Sequence, residues 1–200
     1  MAGKIVLASG NKGKLREFRQ MLEPMGYEIH PQSEFNVTEA EEPFGTFVEN
    51  ALAKARHVSR QTGLPAMADD SGICVDALGG QPGVHSARYA GDPKSDDRNN
   101  QKLIADLAGI ENRAANYYCV LVYVRSADDP QPIVVDGRWS GIVIDEPKGE
   151  NGFGYDPYFL VEEYGKTFAE LPAEIKNEIS HRAHALQQFR REICAVKGCR

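Results

Sequence analysis

A chain of 200 residues, 42% hydrophobic and 26% charged, is long enough for one large globular domain or two small lobes sharing a core. Its formal charge of −6 argues against a nucleic-acid polymer as partner, which would demand a basic face, but leaves room for a nucleotide, which needs only a few local lysines. The longest apolar run, Tyr117–Val124, is too short to span a bilayer, and the start MAGKIVLASG carries no signal-peptide pattern, so a cytoplasmic protein is expected.

In chain order, Lys4–Ala8 reads as a buried strand that leaves through Ser9-Gly10-Asn11-Lys12-Gly13-Lys14 into a helix. That helix runs from Gly13 to about Met25, with Leu15, Phe18, Leu22 and Met25 on one face and Gly26 as its stop. A strand at Tyr27–His30 follows, then the acidic, turn-rich NVTEAEEPFG. Thr46 with Glu49 three residues on is a capping-box pattern for a second helix, whose buried face is Phe47, Ala51, Ala55 and Val58 and whose end is Gly63.

LPAMADDSG reads as a strand running into two adjacent carboxylates, continued in extended form by ICVDAL. LGGQPGVHSARYAGD is a loop by its glycine and proline content, and Asn99–Leu107 a helix. Tyr117–Arg125, Ile133–Trp139 and Gly141–Asp145 read as three strands. The glycine-rich GENGFGYDPYF leads into a helical region containing PAEIKNEIS, and a final helix starts at about Ser180, with Leu186, Phe189 and Ile193 inward. Alternating strands and helices followed by a meander predict a mixed α/β protein, one long twisted sheet flanked by helices, with residues 1–200 as a single domain.

Several short stretches can carry chemistry. Backbone N–H groups at a strand-to-helix corner attract anions, and in SGNKGK two lysines and two small polar side chains join them; a plain turn with solvated lysines reads the same residues. The loop is not a Walker A motif, since Gly10 and Gly13 are too close and Leu15 follows Lys14. Asp69-Asp70-Ser71-Gly72 is either a self-bonded turn or a source of a Mg²⁺ ligand and base, with Glu41 or Glu42 as second ligand. Lys54 reads as a solvated helical lysine or as a further cation, and exposed lysines at positions 14 and 54 would contribute little to stability. Phe153 and Tyr155 beside Asp156 either pack the core or stack on a base. Ser180-His181-Arg182 is a helix cap whose basic residues oppose the helix dipole, which a ligand would explain. Cys74, Cys119, Cys194 and Cys199 lack zinc-ligand spacing and read as buried or incidental thiols.

Taken in order, SGNKGK, EE, ENALAKA, ADDSG, GGQPGVHSARYAG, GFGYDPYF and SHRAHAL resemble the inosine triphosphate pyrophosphatase family, from Ile5 to about Leu186. The resemblance implies Mg²⁺-dependent hydrolysis of deaminated purine nucleoside triphosphates to monophosphate and pyrophosphate. It implies two α/β lobes on a long central sheet with the cleft between them, in a homodimer. By the same resemblance, Ser9, Gly10, Asn11, Lys12, Gly13, Lys14 and Lys54 hold the triphosphate. Asp70 binds Mg²⁺ and acts as base, Glu41 completes the metal site, and Ser71 touches the nucleotide. Phe153, Gly154, Tyr155, Asp156, Lys176, His181 and Arg182 form the base pocket. Two other classes of answer are a nucleotide sensor without turnover and a pyrophosphatase for modified pyrimidine triphosphates.

Overall fold

The computed structural model describes residues 3–197, so Cys199 lies outside the described residues. Among them, seven strands form one mixed sheet: β1 (Gly3–Leu7), β2 (Tyr27–Pro31), β3 (Ala66–Val75), β4 (Ala114–Val124), β5 (Ile133–Val143), β6 (Phe159–Val161) and β7 (Lys166–Thr167). Their order is β2-β1-β3-β4-β5-β6-β7. β1 runs parallel to β2 and β3, as crossover helices α1 (Lys12–Leu22) and α2 (Phe47–Thr62) require. At the other edge β6 is antiparallel to both β5 and β7. Helices α3 (Asp96–Asp106), α4 (Ala173–Ile179) and α5 (His181–Lys197) complete the regular elements, and the expected α/β class is borne out. No helix among the described residues is long and apolar enough to cross a membrane.

The chain divides into two compact units. The first comprises the residues up to Asp70, Cys119–Gly137 and those from His184 on; the second is Ser71–Tyr118 with Arg138–Ala183. In the first unit Ile5, Leu7, Phe18, Leu22, Ile29, Met67, Leu121, Leu186 and Phe189 form the core, as the sequence periodicity of β1, α1 and α5 demands. The second unit has its own core around Ile73, Leu103, Leu107, Tyr117, Val143, Phe159 and Phe168. Cys119 belongs to the first core, while Cys74 and Cys194 are half-buried.

Several elements differ from the sequence reading, most for a local reason. The α-helical part of α1 ends at Leu22, and a 3₁₀ turn over Glu23–Met25 carries the chain to Gly26, because Pro24 cannot donate to the helical ladder. Helix α3 begins at Asp96 rather than Asn99, since the Ser95 hydroxyl accepts from the Arg98 N–H and caps it. β5 runs unbroken through Gly141, where a side chain would meet the Leu160 carbonyl at 2.4 Å, so this glycine marks close strand packing instead of a turn. The short strands β6 and β7 stand where only helical structure was expected after the second glycine-rich loop.

The turn between β4 and β5 is built on Asp129, which is 2% exposed. Its carboxylate accepts from the Arg125 guanidinium and from the backbone N–H groups of Arg125 and Gln131, at 2.9 and 3.0 Å. The Arg125 side chain foremost, and then those N–H groups, hold the carboxyl well below the usual Asp range against the opposing effect of burial. A depressed native pKa contributes stability that is present above the unfolded value and lost as pH falls through the native one. Asp129→Asn should therefore destabilise by about 2 kcal/mol at pH 7. In urea melts the gap to wild type should begin to narrow below about pH 4, the ordinary Asp value, and keep shrinking as pH falls towards the depressed native one.

Candidate active site

In the first unit the chain leaves β1 and is caught at once by its own side chains. Asn11 Oδ1 accepts from the Gly13 and Lys14 N–H groups at 2.8 and 3.2 Å, capping α1, and Ser9 Oγ accepts from the Asn11 N–H at 3.1 Å. Both oxygens are spent as acceptors, which leaves the Ser9 hydroxyl hydrogen and the Asn11 amide as donors. Gly10 has no left-handed backbone, and a side chain there would meet nothing within 4 Å. The chain itself does not require glycine at this position; close approach of a ligand to the backbone would. Lys12 is exposed at the first turn of α1.

The two carboxylates do not end a strand but sit in the middle of β3, where Asp69 is 1% and Asp70 8% exposed. Each meets a different lysine. Lys14 Nζ of α1 lies 2.8 Å from Asp69 Oδ2, and Lys54 Nζ of α2 lies 3.1 Å from Asp70 Oδ1. Lys54 also donates to Glu42 Oε2 at 2.7 Å, so one ammonium joins Asp70 to the acidic loop. Asp70 Oδ2 is buried and has no hydrogen-bond partner. Burial pushes the Asp70 carboxyl above its ordinary value, with Glu42 and Asp69 adding to this and Lys54 opposing. Burial pulls the Lys54 ammonium down, but Asp70, Glu42 and Asp69 outweigh it, and its pKa is raised.

Several expectations change here. Neither lysine belongs to a solvated face: the Lys14 and Lys54 side chains are 20% and 13% exposed. Both glutamates are exposed, and the structure brings Glu42 to Lys54, which also pairs with Asp70. Among the described residues no three His, Cys, Asp or Glu side chains are grouped to hold a metal ion. What the chain offers a cation is the orphaned Asp70 oxygen and a glutamate close by. That suits Mg²⁺, which takes one or two carboxylates and draws its other ligands from phosphates and water.

In the second unit the GFGYDP loop is organised by Asp156, which is 6% exposed. Tyr117 OH donates to its Oδ1 at 2.9 Å, while Lys176 Nζ and the Phe153 N–H reach its Oδ2 at 3.2 and 3.3 Å. Helix α3 grips the loop from its first turn: the Gly154 N–H donates to Asp96 Oδ2, and Asn100 Nδ2 donates to the Gly154 carbonyl, both at 2.9 Å. The two aromatic residues therefore part company. Tyr155 is core, its hydroxyl donating to the Ser86 carbonyl at 2.8 Å, whereas Phe153 is 64% exposed and presents a ring to solvent. His181 and Arg182 are buried rather than exposed after the Ser180 cap. The His181 ring stacks on Tyr117 with centroids 5.0 Å apart, and Arg182 Nη2 lies 3.4 Å from Ser71 Oγ.

Sequence reasoning missed Asn50, Tyr117, Asp96 and Asn100. Asn50 had left a trace, a polar residue inside the apolar stripe of Phe47, Ala51 and Ala55; Tyr117, buried in a strand, had left none.

The chain is thus of a class of α/β protein in which lysines from two crossover helices pair with buried carboxylates next to a side-chain-capped strand-to-helix corner, a frame suited to a phosphorylated ligand. Residues 5–192 match the model of the Ham1 family, and the chain belongs to that family, bearing out the resemblance drawn from its motifs. It is 63% identical over 189 residues to a dITP/XTP pyrophosphatase of Ralstonia nicotianae, covering 93% of this chain and 94% of that one. The structure matches that of a HAM1 protein from Coxiella burnetii with a TM-score of 0.93 at 45% identity, covering 96% and 99% of the two chains. It matches the Staphylococcus aureus Ham1 protein with a TM-score of 0.88 at 39% identity, covering 95% and 97%.

Because each lysine neutralises a buried carboxylate, Lys14→Ala and Lys54→Ala should each lower the unfolding free energy by about 1–3 kcal/mol. An exposed lysine would change it by no more than about 0.5 kcal/mol. Urea denaturation of the ligand-free variants distinguishes the two.

Proposed function

We propose that this protein hydrolyses non-standard purine nucleoside triphosphates (ITP, dITP and XTP) to the monophosphate and pyrophosphate, with the whole chain as one catalytic domain. The observation that carries the reading is Asp70, buried, charged against Lys54 and tied through it to the acidic loop. The names of the relatives supply the substrate class.

Ser9, Asn11, Lys14 and Lys54, with the backbone of Gly10–Gly13, bind the triphosphate through hydrogen-bond donors and ammonium groups. Asp70 and a glutamate of the acidic loop would hold Mg²⁺; Lys54 ties Glu42 to Asp70, whereas the family resemblance implies Glu41. Bound with the triphosphate, Mg²⁺ would offset charge on the phosphate oxygens. Asp70 orients a water and accepts its proton; the water oxygen bonds to the α-phosphorus while the α–β bridging bond breaks, and pyrophosphate leaves.

The exposed Phe153 ring stacks on the base, and Ser71, Lys176, His181 and Arg182 serve its edge, while Asp156 and Tyr155 hold the loop in place. Arg182 has only donors. It fits the 6-carbonyl of hypoxanthine or xanthine and meets the 6-amino group of adenine donor to donor. Clearing such nucleotides from the precursor pool keeps them out of DNA and RNA, a role that belongs to a cytoplasmic enzyme. We propose a homodimer as its working form, which sedimentation of the purified chain tests.

Activity on ITP should vanish in EDTA and return with Mg²⁺, and Asp70→Asn should lower kcat by about 10²–10⁴-fold. Near-normal turnover by that variant, in a Mg²⁺-supplemented assay of pyrophosphate release, would remove Asp70 as base. Arg182→Ala should lower kcat/KM for ITP and narrow the ITP/ATP ratio by about 1–3 kcal/mol, the usual penalty of a mispaired buried donor. A ratio that does not move takes Arg182 out of the base pocket.

A further inference from the structure

Helix α2 carries a polar stripe that the proposed chemistry uses at only one point. Asn50, Lys54, His57 and Gln61 follow at spacings of four, three and four, which puts all four on one helical face. The acidic segment lies along this stripe in the opposite direction. At its far end, Gln61 Nε2 donates to Thr38 Oγ1 at 3.0 Å and His57 Nε2 lies 2.9 Å from the Thr38 carbonyl. In the middle, Lys54 holds Glu42. At the near end, Asn50 grips the backbone of Phe44 with both ends of its carboxamide: Oδ1 accepts from the Phe44 N–H and Nδ2 donates to the Phe44 carbonyl, each at 3.1 Å.

Asn50 is 2% exposed, on the side of the helix that otherwise buries Phe47 and Ala51. A polar side chain with no use there would be replaced by an apolar one at little cost. The lengths also matter. From Asn50 to Gln61 the helix rises about 16 Å, and the six residue steps from Thr38 to Phe44 reach at most about 22 Å when extended. A segment with so little slack is set by its end clamps. Glu42 and Glu41 lie two and three residues from Phe44, so the Asn50 clamp fixes where both carboxylates stand.

We infer that Asn50 is a positioning residue for the metal: through the backbone of Phe44 it holds the acidic loop so that its glutamates face the cation shared with Asp70. The inference rests on the metal reading given under Proposed function. Loss of the clamp leaves the ligands intact but unplaced, so it weakens cation binding more than turnover. Supporting groups of this kind change metal affinity by about 10–100-fold.

The test compares Asn50→Ala and Asn50→Ser with wild type and with Glu41→Gln and Glu42→Gln. The serine is too short to span both Phe44 groups yet keeps a polar atom in the site, so it serves if the alanine variant does not fold. Two quantities are read: the Mg²⁺ concentration giving half-maximal ITP hydrolysis, and Mn²⁺ binding to the nucleotide-free protein by water proton relaxation. Both Asn50 variants should raise the Mg²⁺ requirement about tenfold or more. They should weaken Mn²⁺ binding by a similar factor and change kcat at saturating Mg²⁺ far less. Placed in the glutamate variant that itself raises the requirement, Asn50→Ala should add little, as expected of groups acting on one another. If one glutamate variant raises the requirement and neither Asn50 variant does, Asn50 is only a structural residue and the inference is overturned. If neither glutamate variant raises it, the metal reading of the loop fails, and the inference fails with it.

Discussion

Two adjacent negative charges buried in the middle of a strand are the constraint on which the first unit turns. Alternation along β3 sends Asp69 and Asp70 to opposite faces, so no single cation can neutralise both. The fold answers with two lysines from two helices: Lys14 from α1 on Asp69, Lys54 from α2 on Asp70. A buried carboxylate without a counter-charge costs several kcal/mol, so the positions of both crossover helices are tied to the charges they carry. The corner after β1 is part of the same arrangement, because the Asn11 cap starts α1 at the register that aims Lys14.

The same constraint links stability to chemistry. On the proposed reading the lysines that neutralise the carboxylates would also meet the triphosphate, and a cation entering at Asp70 would compete with Lys54 for its carboxylate. A site that is satisfied by internal ion pairs before its ligand arrives holds its geometry at low energy, and gives up those pairs in exchange for ligand contacts. In the second unit one buried carboxylate again does the organising. Asp156 gathers Tyr117, Lys176 and the Phe153 N–H, while Asp96 and Asn100 take the backbone of Gly154. The Phe153 ring, 64% exposed, is the aromatic group this loop presents to solvent.

The motifs were legible because their residue types are chemically unusual where they stand. Two lysines and two glycines at a strand-to-helix corner, paired aspartates within an apolar run, and basic residues behind a helix cap each contradict the simplest packing pattern. Family membership followed from their order. Less legible were residues whose work is done at a distance in sequence. Tyr117 reads as strand core, yet its hydroxyl meets Asp156, 39 positions away; Asn100 meets Gly154 at a separation of 54. Glu41 and Glu42 are neighbours of one type, and only the course of the loop along α2 brings Glu42 to Lys54.

By itself, then, the sequence determined the α/β class, the crossover helices, the caps of α2 and the identity of the charged groups, because periodicity and capping act over a few residues. Tertiary structure alone decided which charges meet. It buried Lys14 and Lys54 against aspartates, exposed Phe153 while burying Tyr155, and carried β5 through Gly141. Those outcomes depend on which elements pack together, and a side chain's partner and solvation are properties of that packing, not of its neighbours in the chain.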